Sequence, residues 1–257
     1  MEIHYELSVG RCFYTIKCLP PDTDRQKITD CHIEMMPDTR WNEGTDAFGN
    51  RKIYGSMDIP HDRFCIRVEG EARTGLADSD GIRQKNLLGL FRYPYGLTRP
   101  GESLAAYETR LSETSGFWEM SPQEKSLFLM HQLHRDFQYR QGVTDVATPA
   151  EMAWKMGQGV CQDYAHILIV LCRRFGIPAR YVAGMMAGEG HSHAWVEVLC
   201  GGHWYGLDPT NDCVVDDGYI VIGTGRDASD CALNRGIILG GGAQRQSVSV
   251  IVNRLGE

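Results

Sequence analysis

Three residues in this chain have types and spacings suited to nucleophilic catalysis. Cys161 lies in "GVCQDYAH" (159–166), behind two glycines, Gly157 and Gly159, and just ahead of an apolar run over 167–172. The thiol therefore falls at or just before the first turn of an apolar helix. The unpaired N–H groups and the dipole there favour negative charge. A thiol in that place is drawn toward the thiolate, which is the nucleophilic form. The glycines let a substrate come close to the backbone. A cysteine nucleophile also needs a base, and a third group to orient that base.

Both are available downstream. "HAWVEVLC" (193–200) and "HWYGLDPT" (203–210) flank Gly201-Gly202, a two-residue hairpin turn. Such a turn pairs Cys200 with His203, Trp195 with Asp208 and His193 with Thr210. Opposed residues share a face and side chains alternate. His193, Trp195, Glu197, Trp204, Gly206 and Asp208 then lie on one face. Asp208 is the diagonal neighbour of His193, about 6–8 Å away between backbones and within reach of a carboxylate–imidazole hydrogen bond. A three-residue turn would put Asp208 on the opposite face. In this arrangement Cys161 attacks a carbonyl, His193 takes and returns the proton, and Asp208 fixes the imidazole tautomer and supports the imidazolium. The product is a thioester acyl-enzyme. Water would resolve it to an acid; an amine would resolve it to a new amide.

Neighbouring residues have competing readings. His191, two before His193, is an alternative base, although it sits in the glycine-rich "GEGHS" approach. His166, inside the Cys161 helix, reads as a hydrogen-bonded core or rim residue. Gln158 is a candidate oxyanion donor, beside the better-founded backbone N–H of Cys161. Trp195 and Trp204 either wall the acyl site or cover the core side of the hairpin. Asp163 and Glu197 either tune the site or are structural. His131 and His134, three apart on a helix, have no further ligands at suitable spacing and read as surface residues, so no metal site is expected. Gly223-Thr224-Gly225 and the triple glycine at 240–242 lack the Lys-Ser/Thr of a phosphate loop and read as turns.

The elements that must position these groups fall in three stretches. Residues 1–74 read as β: "IHYELSV", "CFYTIKCL", "ITDCHIEMM" and "FCIRVEGEA" are short runs rich in β-branched and aromatic residues, and "DAFGN" is a turn. A small β-sandwich is expected there. Residues 75–120 read as a linker with a small helical segment. Residues 121–257 form the core that carries Cys161, His193 and Asp208. Ser121-Pro122-Gln123-Glu124 is a capping box with proline at the first helical position. Its helix is expected to bury Leu127, Met130, Leu133 and Phe137. Thr148-Pro149-Ala150-Glu151 repeats that start signal, and Gly157 can end the helix. The third helix runs from near Cys161 to Gly176 with almost no polar face, and β-like segments follow from Tyr181. The fold class is α+β.

Composition excludes other classes. In a 257-residue chain, 42% hydrophobic and 23% charged residues describe a globular protein, and a net charge of −7 argues against non-specific nucleic-acid binding. No apolar run approaches the length of a membrane span. The N-terminus alternates like a strand and lacks the build of a signal peptide. Nine cysteines at irregular spacing, with no C-x-x-C, suit a reducing cytoplasm and small buried thiols better than a disulfide framework.

The string "GVCQDYAHILIVLCRRFGIPARYVAGMM", then "SHAW", then "GLDPTND", resembles the transglutaminase-like cysteine-protease superfamily. The likeness extends through "FQYRQGVTDVATPAE", "GRDASD" and "RGIILGGG", and "DAFGNRKIYGSMDIPHDRF" is similar to the β-domain that precedes this core in many bacterial members. The resemblance implies a papain-like α+β core without metal or organic cofactor. Cys161 falls on the family's nucleophile, His193 on its histidine and Asp208 on its aspartate. The expected substrate is a peptide or protein amide cleaved by hydrolysis, because bulk water is the default acceptor of the thioester, with amine transfer or a binding scaffold as alternatives. Ala228 and "CALNRG" depart from the aromatic and prolines usual after "GRD", which points to a different substrate preference if that segment lines the cleft.

Overall fold

The computed structural model describes residues 1–76 and 85–255. In chain order the first elements are β1 (Glu2–Ile16), β2 (Lys27–Met36), β3 (Asn42–Thr45), β4 (Arg51–Met57), β5 (His61–Arg73), α1 (Glu102–Ser112), α2 (Pro122–Asp136), β6 (Gln138–Tyr139), α3 (Ala150–Met156), β7 (Gln158–Gly159) and α4 (Cys161–Arg174). There follow β8 (Ala179–Met186), β9 (Gly188–Gly190), β10 (His193–Cys200), β11 (His203–Asp208), β12 (Cys213–Val214), β13 (Tyr219–Gly225), β14 (Asn234–Gly240), β15 (Gln244–Ser247) and β16 (Val250–Val252). No helix among the described residues is long and apolar enough to cross a membrane.

The N-terminal region is β-rich and sandwich-like, organised around one long strand. Segments 3–9 and 12–19 read as two strands in the sequence, but the chain keeps β1 continuous through Gly10 and shifts register between Val9 and Arg11. The first half of β1 pairs with β5 and β15, and the second half pairs with β4 and β14. A bulge bends a strand and raises its twist. The two halves thus fold over a common core that includes Ile3, Phe64 and Ile66 from one and Ile16, Ile53 and Met57 from the other. Because β14 and β15 pair with β1, residues 234–247 belong to this sheet and not to the core assigned from 121 onward. Likewise the expected linker gives α1 to the core built around α4, through Leu104, Tyr107 and Leu111. Residues 77–84 of that linker lie outside the described residues.

The second unit is the five-stranded antiparallel sheet β12-β11-β10-β8-β13 with helices on one face. α4 is its axis: every residue from Asp163 to Arg173 is buried, as its lack of a polar face requires. Ala194, Val196 and Val198 of β10 pack with α4, so their alternates His193, Trp195 and Glu197 face the other way. α2 starts with the capping box, Glu124 N–H to Ser121 Oγ at 3.3 Å and Ser121 N–H to Glu124 Oε2 at 2.8 Å. It buries Leu129, Met130 and Leu133, while Leu127 is only partly covered. The start of α3 differs from expectation. Thr148 bonds Asp145 instead of capping, and Glu151 accepts from Gly101, Ser103 and Leu104 N–H at 2.9–3.0 Å, capping α1 across the interface.

The two units meet at β13, the outer strand of the five-stranded sheet. Two buried amides from the N-terminal domain pair with its open edge. Gln26 donates to Val221 O at 2.9 Å and accepts from Val221 N–H at 2.8 Å. Asn50 does the same with Thr224, at 2.8 and 2.7 Å. Each amide mimics a strand partner and satisfies backbone groups that burial would otherwise leave unpaired.

Candidate active site

The local sequence at the mouth of α4 fixes Cys161 in place. Gly157 ends α3 at φ 67°, in the left-handed region that favours glycine. β7 then runs beside β6 and delivers the chain to the helix start. Asp163 accepts from Val160 N–H at 2.7 Å and from Thr144 Oγ1 at 2.7 Å, so this buried carboxyl is a helix cap. Burial moves its pKa upward against those hydrogen bonds. A Cβ at Gly159 would lie 2.4 Å from Asp163 Oδ2, which is why the second glycine is needed. Cys161 follows as the first helical residue, half-buried, with its N–H among the donors of the first turn that lack a helical partner.

The hairpin places the other two groups. Cys200 pairs with His203 across Gly201-Gly202, and the register continues to Val196 opposite Leu207. His193 Nε2 lies 2.7 Å from Asp208 Oδ2. The Cys161 side chain acts on the same imidazole and helps to raise its pKa. Asp208 holds Nε2, which leaves Nδ1 as the nitrogen that exchanges a proton with the thiol.

Asp208 is fully buried and wholly satisfied. Oδ1 accepts from the N–H groups of Thr210 (2.9 Å) and Asn211 (3.2 Å). Besides His193, Oδ2 accepts from Asn211 Nδ2 and from the Tyr219 hydroxyl, each at 2.8 Å. Burial works against its charge, but the bonds from His193, Tyr219 and Asn211 outweigh it and hold the carboxyl below the usual range. Burial likewise opposes a charged His193. Its hydrogen bonds to Asp208 and Cys161, and their charges, prevail and raise it to about 9. Asn211 follows directly on "DPT", a position that invites a side chain to fold back; Tyr219, eleven residues from Asp208, gives no sequence signal.

The other candidates are dispersed. His191 bonds Val248 O at 2.9 Å, outside β10 and away from Asp208, which removes it as the base. His166 is buried in the core, where its Nε2 accepts from Ala228 N–H at 3.0 Å. Ala228 is thus joined to α4. Gln158 lies on β7 with Oε1 3.3 Å from Arg140 Nη1, which leaves Nε2 as the free donor of its amide. Trp195 is fully buried against His193 and Tyr219 and borders the same cavity as Trp204. Trp204 pairs with Leu199, six residues or about 20 Å along β10 from His193. It carries Arg180 on its ring at 4.2 Å and lines an interdomain cavity of about 340 Å³. Glu197 is paired with Arg180 at 2.6 Å at that end. His131 bonds Asp212 Oδ1 at 2.6 Å and His134 bonds Pro209 O at 3.1 Å. The two are not idle surface groups, since they tie α2 to the loop after Asp208. Among the described residues no three His, Cys, Asp or Glu side chains cluster to hold a metal.

Residues 111–209 match the family described as the transglutaminase-like superfamily, and residues 1–73 match the bacterial transglutaminase-like N-terminal region. An uncharacterised protein of Mycobacterium leprae is 27% identical, over 98% of this chain and 95% of its own length. An uncharacterised protein of Mycobacterium tuberculosis is 39% identical over 126 residues, 43% of this chain and 40% of that protein. A solved structure from Cytophaga hutchinsonii, provisionally named a cysteine protease, aligns over 97% of this chain and 88% of its own, with 23% identity and a TM-score of 0.69. The periplasmic domain of TgpA from Pseudomonas aeruginosa aligns over 82% and 87%, with 17% identity and a TM-score of 0.42.

Proposed function

The chain belongs to the transglutaminase-like superfamily, and on that premise we propose that it is a thiol-dependent acyl-transfer enzyme that hydrolyses an amide bond in a peptide or protein. One observation carries this reading: His193 lies 2.7 Å from the Asp208 carboxylate, and both Asp208 and Cys161 act to raise its pKa.

The reaction follows from that geometry. The Cys161 thiolate attacks the carbonyl carbon, and the oxygen takes up the charge against the Cys161 N–H at the mouth of α4. Gln158 Nε2 is a second candidate donor. His193 passes its Nδ1 proton to the amide nitrogen, the C–N bond breaks and the amine leaves. The thioester remains on Sγ. Neutral His193 then takes a proton from water, the hydroxide attacks the thioester, and the thiolate leaves to re-form the ion pair. Asp208 stays ionised throughout and keeps Nδ1 turned toward sulfur. Water is the default acceptor of an open site; a primary amine in its place gives the transglutaminase outcome.

The test is the rate at which Cys161 reacts with iodoacetamide against pH, read by peptide mass spectrometry with the other eight cysteines as controls. A fast reaction below neutral pH that His193→Ala abolishes supports the ion pair. A Cys161 no faster than an ordinary thiol sinks the enzyme reading and favours a binding scaffold. Product analysis with and without added amine then separates hydrolysis from transfer.

A further inference from the structure

The reaction scheme leaves the Tyr219 hydroxyl without a role. The Tyr219 hydroxyl donates to Asp208 Oδ2 at 2.8 Å, on the same oxygen that holds His193. Its ring packs edge-on to Trp195 with centroids 5.3 Å apart, and lies 6.2 Å from the His193 ring. That packing carries the hydroxyl across the sheet face from β13 to β11. Its own proton is committed. Burial and the nearby Cys213 and Asp208 push the phenol pKa up, so it remains a donor at any working pH. Cys213 Sγ stands 3.6 Å from the same oxygen. An ionised carboxylate only accepts, so the tyrosine proton points to Asp208 and the thiol proton points to the tyrosine.

Tyr219 is the first residue of β13, the strand whose outer edge is held by Gln26 at Val221 and by Asn50 at Thr224. Gln26 acts two residues beyond Tyr219, from the N-terminal domain. The N-terminal domain is therefore joined to the carboxylate that orients His193 by the Gln26–Val221 bonds, two residues of β13 backbone and the Tyr219–Asp208 bond.

We propose that Tyr219 is a positioning residue for the Cys161 reaction, and that the N-terminal domain fixes its place by pairing Gln26 with the edge of β13. This rests on the hydrolase reading above. Tyr219 helps keep Asp208 ionised and limits its freedom to swing away from Nε2. The N-terminal domain is then a part of the catalytic scaffold and not an appended module.

The experiment compares wild type with Tyr219→Phe, which keeps the ring and its packing. One readout is the ¹³C shift of the Asp208 carboxyl against pH; the other is turnover of p-nitrophenyl acetate by Cys161. Loss of a hydrogen bond to a charged group is expected to raise the Asp208 pKa by about one unit and lower turnover about tenfold, with KM little changed. A purely structural tyrosine would lower Tm without moving the Asp208 titration. If either the titration or the turnover of Tyr219→Phe coincides with wild type, the proposal is overturned. Gln26→Ala tests the domain link by a double-mutant cycle. It should lower turnover several-fold in the wild-type background and add nothing to Tyr219→Phe. An equal loss in both backgrounds overturns the link. Cys161→Ala is the control: if wild type turns over no faster than this variant, the hydrolase reading itself has failed and this proposal falls with it.

Discussion

The two ends of α4 bury polar groups in opposite ways. At its first residue the helix offers Cys161 to an imidazole held by an ionised carboxylate, and that ring is raised to about 9. Five residues further in, His166 is completely enclosed with no carboxylate bonded to its ring. Burial there outweighs the charge of Asp227, Arg173 adds its own repulsion, and His166 falls to about 4. Its Nε2 accepts from Ala228, so the proton sits on Nδ1, which has no hydrogen-bond partner. Arg173, near the far end, stays charged but is held by neutral acceptors: Ala179 O twice, Tyr93 O, Thr98 Oγ1 and Arg226 O. Burial alone does not set a charge; the partner does. One end of the helix is built for a proton to move, and the other for none to move.

The sharpest way to break that contrast is to neutralise the carboxylate. Asp208→Asn keeps the shape but offers His193 an amide in place of a charge. Turnover should fall about 10³- to 10⁴-fold, as expected for a triad with the wrong tautomer. The fast alkylation of Cys161 near neutral pH should disappear with it. A variant that alkylates Cys161 at the wild-type rate would mean the thiolate owes its existence to the helix dipole and not to Asp208.

The next effect is on stability and lies at the other end. Arg173→Met removes a buried cation and strands the acceptors it satisfied, at a cost on the order of 3–5 kcal/mol. Denaturant midpoints measure this. Cys161 in the remaining folded protein should alkylate as in wild type, since nothing in the Arg173 network touches His193. His166→Leu should cost about 1–3 kcal/mol by leaving Ala228 N–H unpaired. A catalytic defect in folded His166→Leu would show that the two ends are coupled.

How much of this could be read from the chain depends on the range of the interaction. Cys161, His193 and Asp208 were legible because two of them sit on one hairpin. Gly201-Gly202 sets its register, and the third marks a helix start. The capping box of α2 and the end of α3 at Gly157 were legible for the same local reason. Glu151 was misread because its partner is the start of α1, some fifty residues earlier. Trp195 and Trp204 were placed on the correct face, but a face does not say which end of a strand a substrate meets. The return of β14 and β15 to β1, and the reach of Tyr219 to Asp208, are long-range pairings that no local pattern encodes.

The smallest effects are the pH dependences of the two histidines, and their signs are opposite. His193 has its folded pKa raised to about 9 from an unfolded value of 6.5. Its stabilisation is complete below about 6.5 and is lost as pH rises through 9, since the unfolded chain releases the proton first. His166 has its folded pKa lowered to about 4, so its environment favours the folded state above about 6.5 and ceases to do so as pH falls through 4. Denaturant titrations across pH 4–9 should show both slopes. His193→Ala should flatten the alkaline one and His166→Leu the acid one. Cys161→Ala sharpens the test further. Cys161 supplies part of the hydrogen bonding and charge that raise His193. Without it the alkaline loss should be smaller and complete at lower pH, while the acid slope at His166 stays where it was. A shift of both slopes together would mean that the ends of α4 titrate as one unit and that the division between them is false.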